Sequence, residues 1–231
     1  MRALSARDAW AVGTYFNGTA VQTLALHWNG TSWRHVKTPN PSGIDNELVS
    51  VAIVSARDAW AVGFDAEGGA DRTLLLHWNG TSWRRVPSPN PGGTAHNNML
   101  IGVRARSARD AWAVGTYGHG TAHQTLILRW NGSAWRPVKA PNASATDNEL
   151  LAVAATSQAN AWAVGDYHTG TSSRTLLLHW NGSAWQRIPT ANPSATGNVL
   201  FSVGATSASN AWAVGWYSNG PALQTLALHC C

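Results

Sequence analysis

The residues of this 231-residue chain best suited to chemistry are three carboxylates, Glu47, Glu149 and Asp166. Two carboxyl groups held about 5–9.5 Å apart across a glycosidic bond can act as acid and as base or nucleophile in its hydrolysis. Aromatic residues recur at neighbouring positions: Tyr15, Tyr117, Tyr167, Trp216 and Tyr217. Such rings stack on the C–H faces of sugars, while amides such as Asn46 and the carboxylates fix hydroxyls. The expected ligand-binding set is therefore Tyr15, Asn46, Glu47, Tyr117, Glu149, Asp166, Tyr167, Trp216 and Tyr217. Glu47, Glu149 and Asp166 form the catalytic set if the chain is an enzyme. The glutamates, however, occupy equivalent places in Asp45-Asn46-Glu47 and Asp147-Asn148-Glu149. That is how a scaffold residue recurs, so the reading leans away from catalysis and toward binding. The repeated Asn is expected to close a loop through its side chain.

Other chemistries find weaker support. His27, His77, His179 and His229 share one position in a recurring unit, with Arg129 in the remaining copy, and are expected to pack or hydrogen-bond. His119, His123 and His168 sit in variable segments near Asp166, but their spacing does not define a metal site. No metal or cofactor is expected. Glycine pairs at Gly68-Gly69 and Gly92-Gly93 precede no helix and carry no phosphate-loop spacing. Arg104 and Arg106 interrupt an otherwise apolar run, and Arg2 aligns with Arg104; an anion near the molecular axis or plain exposure would each account for them. Cys230 and Cys231 are adjacent, a spacing too short for a relaxed disulfide.

The elements that must position these residues follow from an internal repeat. Ala-Trp-Ala-Val-Gly begins at Ala9, Ala59, Ala111, Ala161 and Ala211, and Trp-Asn-Gly-(Thr/Ser)-(Ser/Ala)-Trp begins at Trp28, Trp78, Trp130 and Trp180. Each unit of about 50 residues reads as four short strands, such as Leu48 to Val54, Ala59 to Gly63, Thr73 to Trp78 and Trp83 to Val86. Asn79-Gly80 is expected to form a tight hairpin turn between the last two. Alternation puts Trp60 and Val62 on one face and Ala59, Ala61 and Gly63 on the other, so a bulky face can pack on a small one in the next unit. Four-stranded sheets repeated radially make a β-propeller. The segments from Tyr15 to Gln22 and their counterparts vary most among the units, which places a candidate site on that rim.

The expectation is a single all-β domain spanning residues 1–231: a five-bladed β-propeller of four-stranded antiparallel blades whose last blade lacks its outer strand. The units fall near 1–46, 47–97, 98–147, 148–197 and 198–231. The repeat resembles the Trp-Asn-Gly type of bacterial propeller repeat, akin to kelch-like and tachylectin-like blades. That resemblance implies a bacterial, extracellular or cell-surface setting and says little about activity. The functional expectation is a lectin-like carbohydrate-binding module. The alternatives are a glycoside hydrolase using rim carboxylates, or a repeat fragment or scaffold without a specific ligand.

Composition narrows the partners. The net charge of +5 comes from scattered basic residues, Arg34, Arg84, Arg85, Arg136 and Arg187 each following one repeated Trp, so no nucleic-acid surface is expected. No apolar run approaches the ~20 residues of a membrane helix, and the first residues lack a secretory apolar stretch. A glycan is the expected partner. The chain is expected to be a monomer, or an oligomer formed through the unpaired edge of its last blade.

Overall fold

Each repeat folds as one antiparallel sheet, because its apolar runs are short, β-branched or aromatic, and bounded by Gly, Asn and Pro. The computed structural model describes residues 1–230, and the regular structure among them is entirely β. Blade 1 contains β1 (Arg2–Ser5), β2 (Asp8–Phe16), β3 (Val21–Trp28) and β4 (Trp33–His35). Blade 2 contains β5 (Asp45–Ser55), β6 (Asp58–Glu67), β7 (Ala70–Trp78) and β8 (Trp83–Arg85). Blade 3 runs through β9 (Asn98–Ser107), β10 (Asp110–His119), β11 (Ala122–Trp130) and β12 (Trp135–Pro137). Blade 4 runs through β13 (Asn148–Ser157), β14 (Asn160–Thr169), β15 (Ser172–Trp180) and β16 (Trp185–Arg187). Blade 5 has three strands, β17 (Asn198–Ser207), β18 (Asn210–Asn219) and β19 (Ala222–Cys230). Five consecutive meander sheets of this kind, packed face to face, are propeller architecture. The reading of the terminal cysteine pair falls partly on Cys231, which lies outside the described residues; Cys230 is buried in the core between blades 4 and 5.

The bulky face of one blade packs on the small face of the next. Trp60 and Val62 of blade 2 lie against Leu100, Ala111, Ala113, Leu126, Leu128 and Trp135 of blade 3. The second-strand tryptophan is the wedge. Trp10 meets Trp78 and Trp83 at 4.9 and 5.1 Å, Trp60 meets Trp130 and Trp135 at 4.9 and 5.1 Å, and Trp112 meets Trp180 and Trp185 at 5.3 and 5.2 Å. The contact with the fourth-strand ring is edge-on in all three, an arrangement the aromatic quadrupole favours. The indole N–H groups of Trp60, Trp112 and Trp162 find no acceptor, so buried area and ring contact supply the stabilisation.

The recurring third-strand histidine belongs to this wedge. His27 and His77 hydrogen-bond Asp8 and Asp58 at 2.9 and 2.8 Å, and His179 and His229 hydrogen-bond Asn160 and Asn210 at 2.7 and 3.0 Å. These bonds stay within a blade and hold each imidazole against its tryptophan, at 4.1–4.6 Å between centroids. In blade 3 Arg129 does the same work, lying 4.8 Å from the Trp112 ring and 3.5 Å from Asp110.

Two local expectations need correction. The second and third strands run on past the expected ends, so the variable segments are hairpin arms rather than loops: Tyr117 pairs with Gln124 and His119 with Ala122. Backbone bonds extend the ladder whatever the side chains, and Gly120 at φ 64° makes the reversal. The Asn-Gly connection is a four-residue turn instead of a two-residue one. Asn79 Oδ1 accepts from the backbone of Thr81 and Ser82 and from the Thr81 hydroxyl at 2.8–3.0 Å.

Blade 5 shows what the wedge does when nothing receives it. Trp112 and Trp162 are fully buried, whereas Trp212 and Val214 remain 53% and 43% exposed. Trp112→Ala should therefore cost about 3–5 kcal/mol in urea unfolding, and Trp212→Ala less than about 1 kcal/mol. Equal losses at the two positions would contradict this packing.

Candidate functional site

A cleft lined by titratable side chains lies between blades 3 and 4. Its volume is about 210 Å³, and it is lined by Met99, Thr116 and His123 from blade 3 and by Asp147, Asn148, Glu149, Asp166 and His168 from blade 4. Two features of the repeat place these groups. The first is the glycine closing Ala-Trp-Ala-Val-Gly. A Cβ on Gly165 would stand 2.0 Å from the carbonyl oxygen of Glu149, so only glycine lets β13 close on β14 there. A bulge between Leu150 and Ala152 follows directly, and Glu149 is left opposite Asp166 in the register.

The second feature is Asn148, which is 1% exposed. Its Oδ1 accepts from the backbone N–H groups of Ala143 and Ser144 at 2.7 and 2.9 Å. Its Nδ2 donates to the carbonyls of Ser144 and His123 at 2.9 and 3.2 Å. One side chain thus ties the loop entering blade 4 to β11 of blade 3. The Thr116 hydroxyl adds a second tie, 3.1 Å from the Asn148 carbonyl.

The electrostatics are those of two carboxyls forced together. Burial raises the pKa of Glu149, with the Asp166 charge adding to it and the imidazoles of His123 and His168 partly offsetting it. Burial likewise raises Asp166, against the charge and hydrogen bond of His168. His168 Nε2 lies 3.3 Å from Asp166 Oδ2, and His123 Nδ1 lies 2.7 Å from Asp147 Oδ1. The cleft therefore offers two carboxyls that protonate more easily than free ones, beside two imidazoles. Among the described residues no group of three or more His, Cys, Asp or Glu side chains is placed to hold a metal ion.

Of the nine residues expected to bind ligand, the structure brings two, Glu149 and Asp166, into this cleft. Glu47 stands in blade 2, where burial and the charges of Asp45 and Asp71 raise its pKa. Asn46 is fully buried and spends its amide on Ser42 and the Val21 carbonyl, so it offers a ligand nothing. The tyrosines follow their blade's cleft-side position by one residue and so point to the opposite sheet face. The Tyr117 hydroxyl donates to Gln124 at 2.7 Å, Tyr167 accepts from Arg187 at 2.6 Å, and Tyr217 packs into the core between blades 4 and 5. Tyr15 is 41% exposed, edge-on to His35 in blade 1. Trp216 lies in blade 5, 6.5 Å from Phe201. His123, His168, Asp147, Asn148, Thr116 and Met99 complete the cleft without having been in the expected set. The register that gathers them becomes readable once the variable segments are taken as strands.

Comparisons with known proteins bear on the fold. No family model and no curated protein matches the sequence. The solved structure of YCF48 bound to a D1 peptide matches 97% of this chain at 14% identity with a TM-score of 0.54. YCF48 from Cyanidioschyzon merolae matches 89% at 12% identity with a TM-score of 0.52. A polysaccharide lyase, ulvan lyase bound to -[GlcA(1-4)Rha3S]-, matches 92% at 10% identity with a TM-score of 0.54. The chain spans 64%, 67% and 60% of those three proteins. At these identities the likeness is one of fold, and it supports the β-propeller.

The raised carboxyl makes a directional prediction. A carboxyl whose pKa is higher folded than unfolded favours the fold while protonated and costs stability once pH climbs through its folded value. Glu149→Gln should match the wild type in Tm near pH 4 and exceed it by a margin that grows toward pH 8. A margin that is constant with pH would mean that ionisation of Glu149 carries no penalty.

Proposed function

We propose that this chain is a carbohydrate-binding propeller module and that the cleft between blades 3 and 4 receives the sugar. The observation carrying this reading is the convergence of Glu149, Asp166, His123, His168 and Asp147 on one concave space. Vicinal sugar hydroxyls need donors and acceptors at close quarters, and carboxylates beside imidazoles supply both. A cleft of about 210 Å³ suits one sugar residue. Met99, at the wall, is the apolar surface available to a C–H face, because no Phe, Tyr or Trp is among the described residues that line the cleft. Recognition here therefore rests on hydrogen bonds to hydroxyls more than on stacking.

A second reading is glycoside hydrolysis. Glu149 stands directly opposite Asp166 in the register and both line the cleft, so the two carboxyls share one site, as the acid and nucleophile of a glycosidase must. Their raised pKa values favour a protonated acid beside a partner.

Titration calorimetry against a panel of neutral mono- and oligosaccharides tests the first reading. Saturable one-site binding is expected, weakened about 10–100-fold by Asp166→Asn through loss of a charge-assisted hydrogen bond and unchanged by Tyr15→Ala. Binding that is insensitive to Asp166→Asn, or absent across the panel, would overturn it. Release of nitrophenol from nitrophenyl glycosides by the wild type, abolished in Glu149→Gln with folding intact, would establish the second reading.

A further inference from the structure

The innermost strands carry one position that breaks the repeat. Arg2, Ala52, Arg104, Ala154 and Gly204 stand opposite Trp10, Trp60, Trp112, Trp162 and Trp212 in their blades. Alanine serves at this position in blades 2 and 4, so packing does not require arginine in blades 1 and 3. Both arginines line one cavity of about 320 Å³ on the axial side, walled by residues 153–155 of β13 and 202–205 of β17. Five of those seven wall residues, Ala154, Ala155, Ser202, Gly204 and Ala205, are small, which leaves the guanidinium groups room.

The two charges meet there uncompensated. Burial, and then the charges of Arg2 and Arg106, disfavour the charged form of Arg104. Arg106 is already neutralised, its Nη1 2.6 Å from Asp110 Oδ2, and Asp110 also faces Arg129. Among the described residues no carboxylate pairs with Arg2 or Arg104. The half-buried Arg104 carries the cost of burial and of repulsion from the exposed Arg2 beside the same cavity. A multivalent oxyanion turns that cost into binding, because each planar fork can present paired N–H donors to its oxygens.

We infer that Arg2 and Arg104 form an oxyanion site in the axial cavity, selective for a phosphate or sulfate group, free or carried as a monoester. The Ser202 hydroxyl at the wall is a further donor within the same space. The site is separate from the saccharide cleft. Arg104 lies six residues along β9 from Asn98, the counterpart of Asn148, which is about 20 Å at the rise of a strand.

Thermal unfolding and calorimetry of the full chain, with inorganic phosphate, sulfate and glycerol phosphate at fixed ionic strength, test the inference. The wild type should bind phosphate saturably, and Arg104→Ala or Arg2→Ala should weaken it at least tenfold. Each variant places in its blade the alanine that blades 2 and 4 already use, so folding should be retained. In the absence of anion at low salt, Arg104→Ala should melt above the wild type through relief of repulsion. Tighter binding of glycerol phosphate than of phosphate assigns the site to an ester, and the reverse to the free ion; either supports it. Equal stabilisation of wild type and Arg104→Ala by phosphate would be surface exclusion of the salt and would overturn the inference. An equal response to chloride would be mere screening of the arginine pair, with the same consequence.

Discussion

The structure depends on one kind of contact, the second-strand tryptophan of a blade buried against the next, where in blades 1 to 3 it meets the third- and fourth-strand tryptophans. A four-stranded sheet of about 50 residues cannot bury both of its faces alone, and a tryptophan removes about 150–250 Å² from water when it does so. At about 25 cal/mol per Å² that is about 4–6 kcal/mol of transfer free energy at each blade junction before entropy is charged against it. The edge-on geometry recurs at three junctions within 0.1 Å, at 5.1, 5.1 and 5.2 Å. Sequence repetition therefore becomes geometric repetition, and each blade takes its stability largely from its neighbour.

The site follows from that stacking rather than from any one blade. The wedge sets the spacing of blades 3 and 4, and Asn148 then ties the entry loop of one to β11 of the other. Gly165 brings Glu149 up to Asp166, and His123 reaches across from the preceding blade. Equivalent backbone in the other blades carries different groups: Phe64 and Trp216 stand where blade 4 has Asp166. The same scaffold thus presents chemistry at one junction and aromatic surface elsewhere. The axial arginines are the same principle on the inner strands, where a position that packing leaves undetermined accepts a charged residue.

The repeat spacing made the fold readable, because Trp, Gly and Asn recur for reasons of packing and backbone geometry that local sequence displays. The bulky and small faces of Ala59 to Val62 followed from alternation alone, and the wedge confirms them. The hairpin arms were hidden because backbone hydrogen bonds hold them, and polar segments such as Gly118-His119 and Ala122-His123 advertise no strand. That gap carried into the site. With Tyr117 and Tyr167 taken as loop residues, their side chains could be imagined facing the rim; as strand residues they turn to the opposite face and bond Gln124 and Arg187. Glu149 and Asp166 were readable as acids, but their partnership required the register.

Amide hydrogen exchange along the chain tests the claim that each blade borrows its stability from the next. The slowest amides should lie in β6, β10 and β14, whose tryptophans are received by a following blade, and the fastest strand amides in β17 and β18, beside the half-exposed Trp212. That gradient would show stability passing from blade to blade through the wedge. Uniform protection across all five blades would contradict it, because blade 5 would then be as stable without a partner for its tryptophan as blades 2 to 4 are with one.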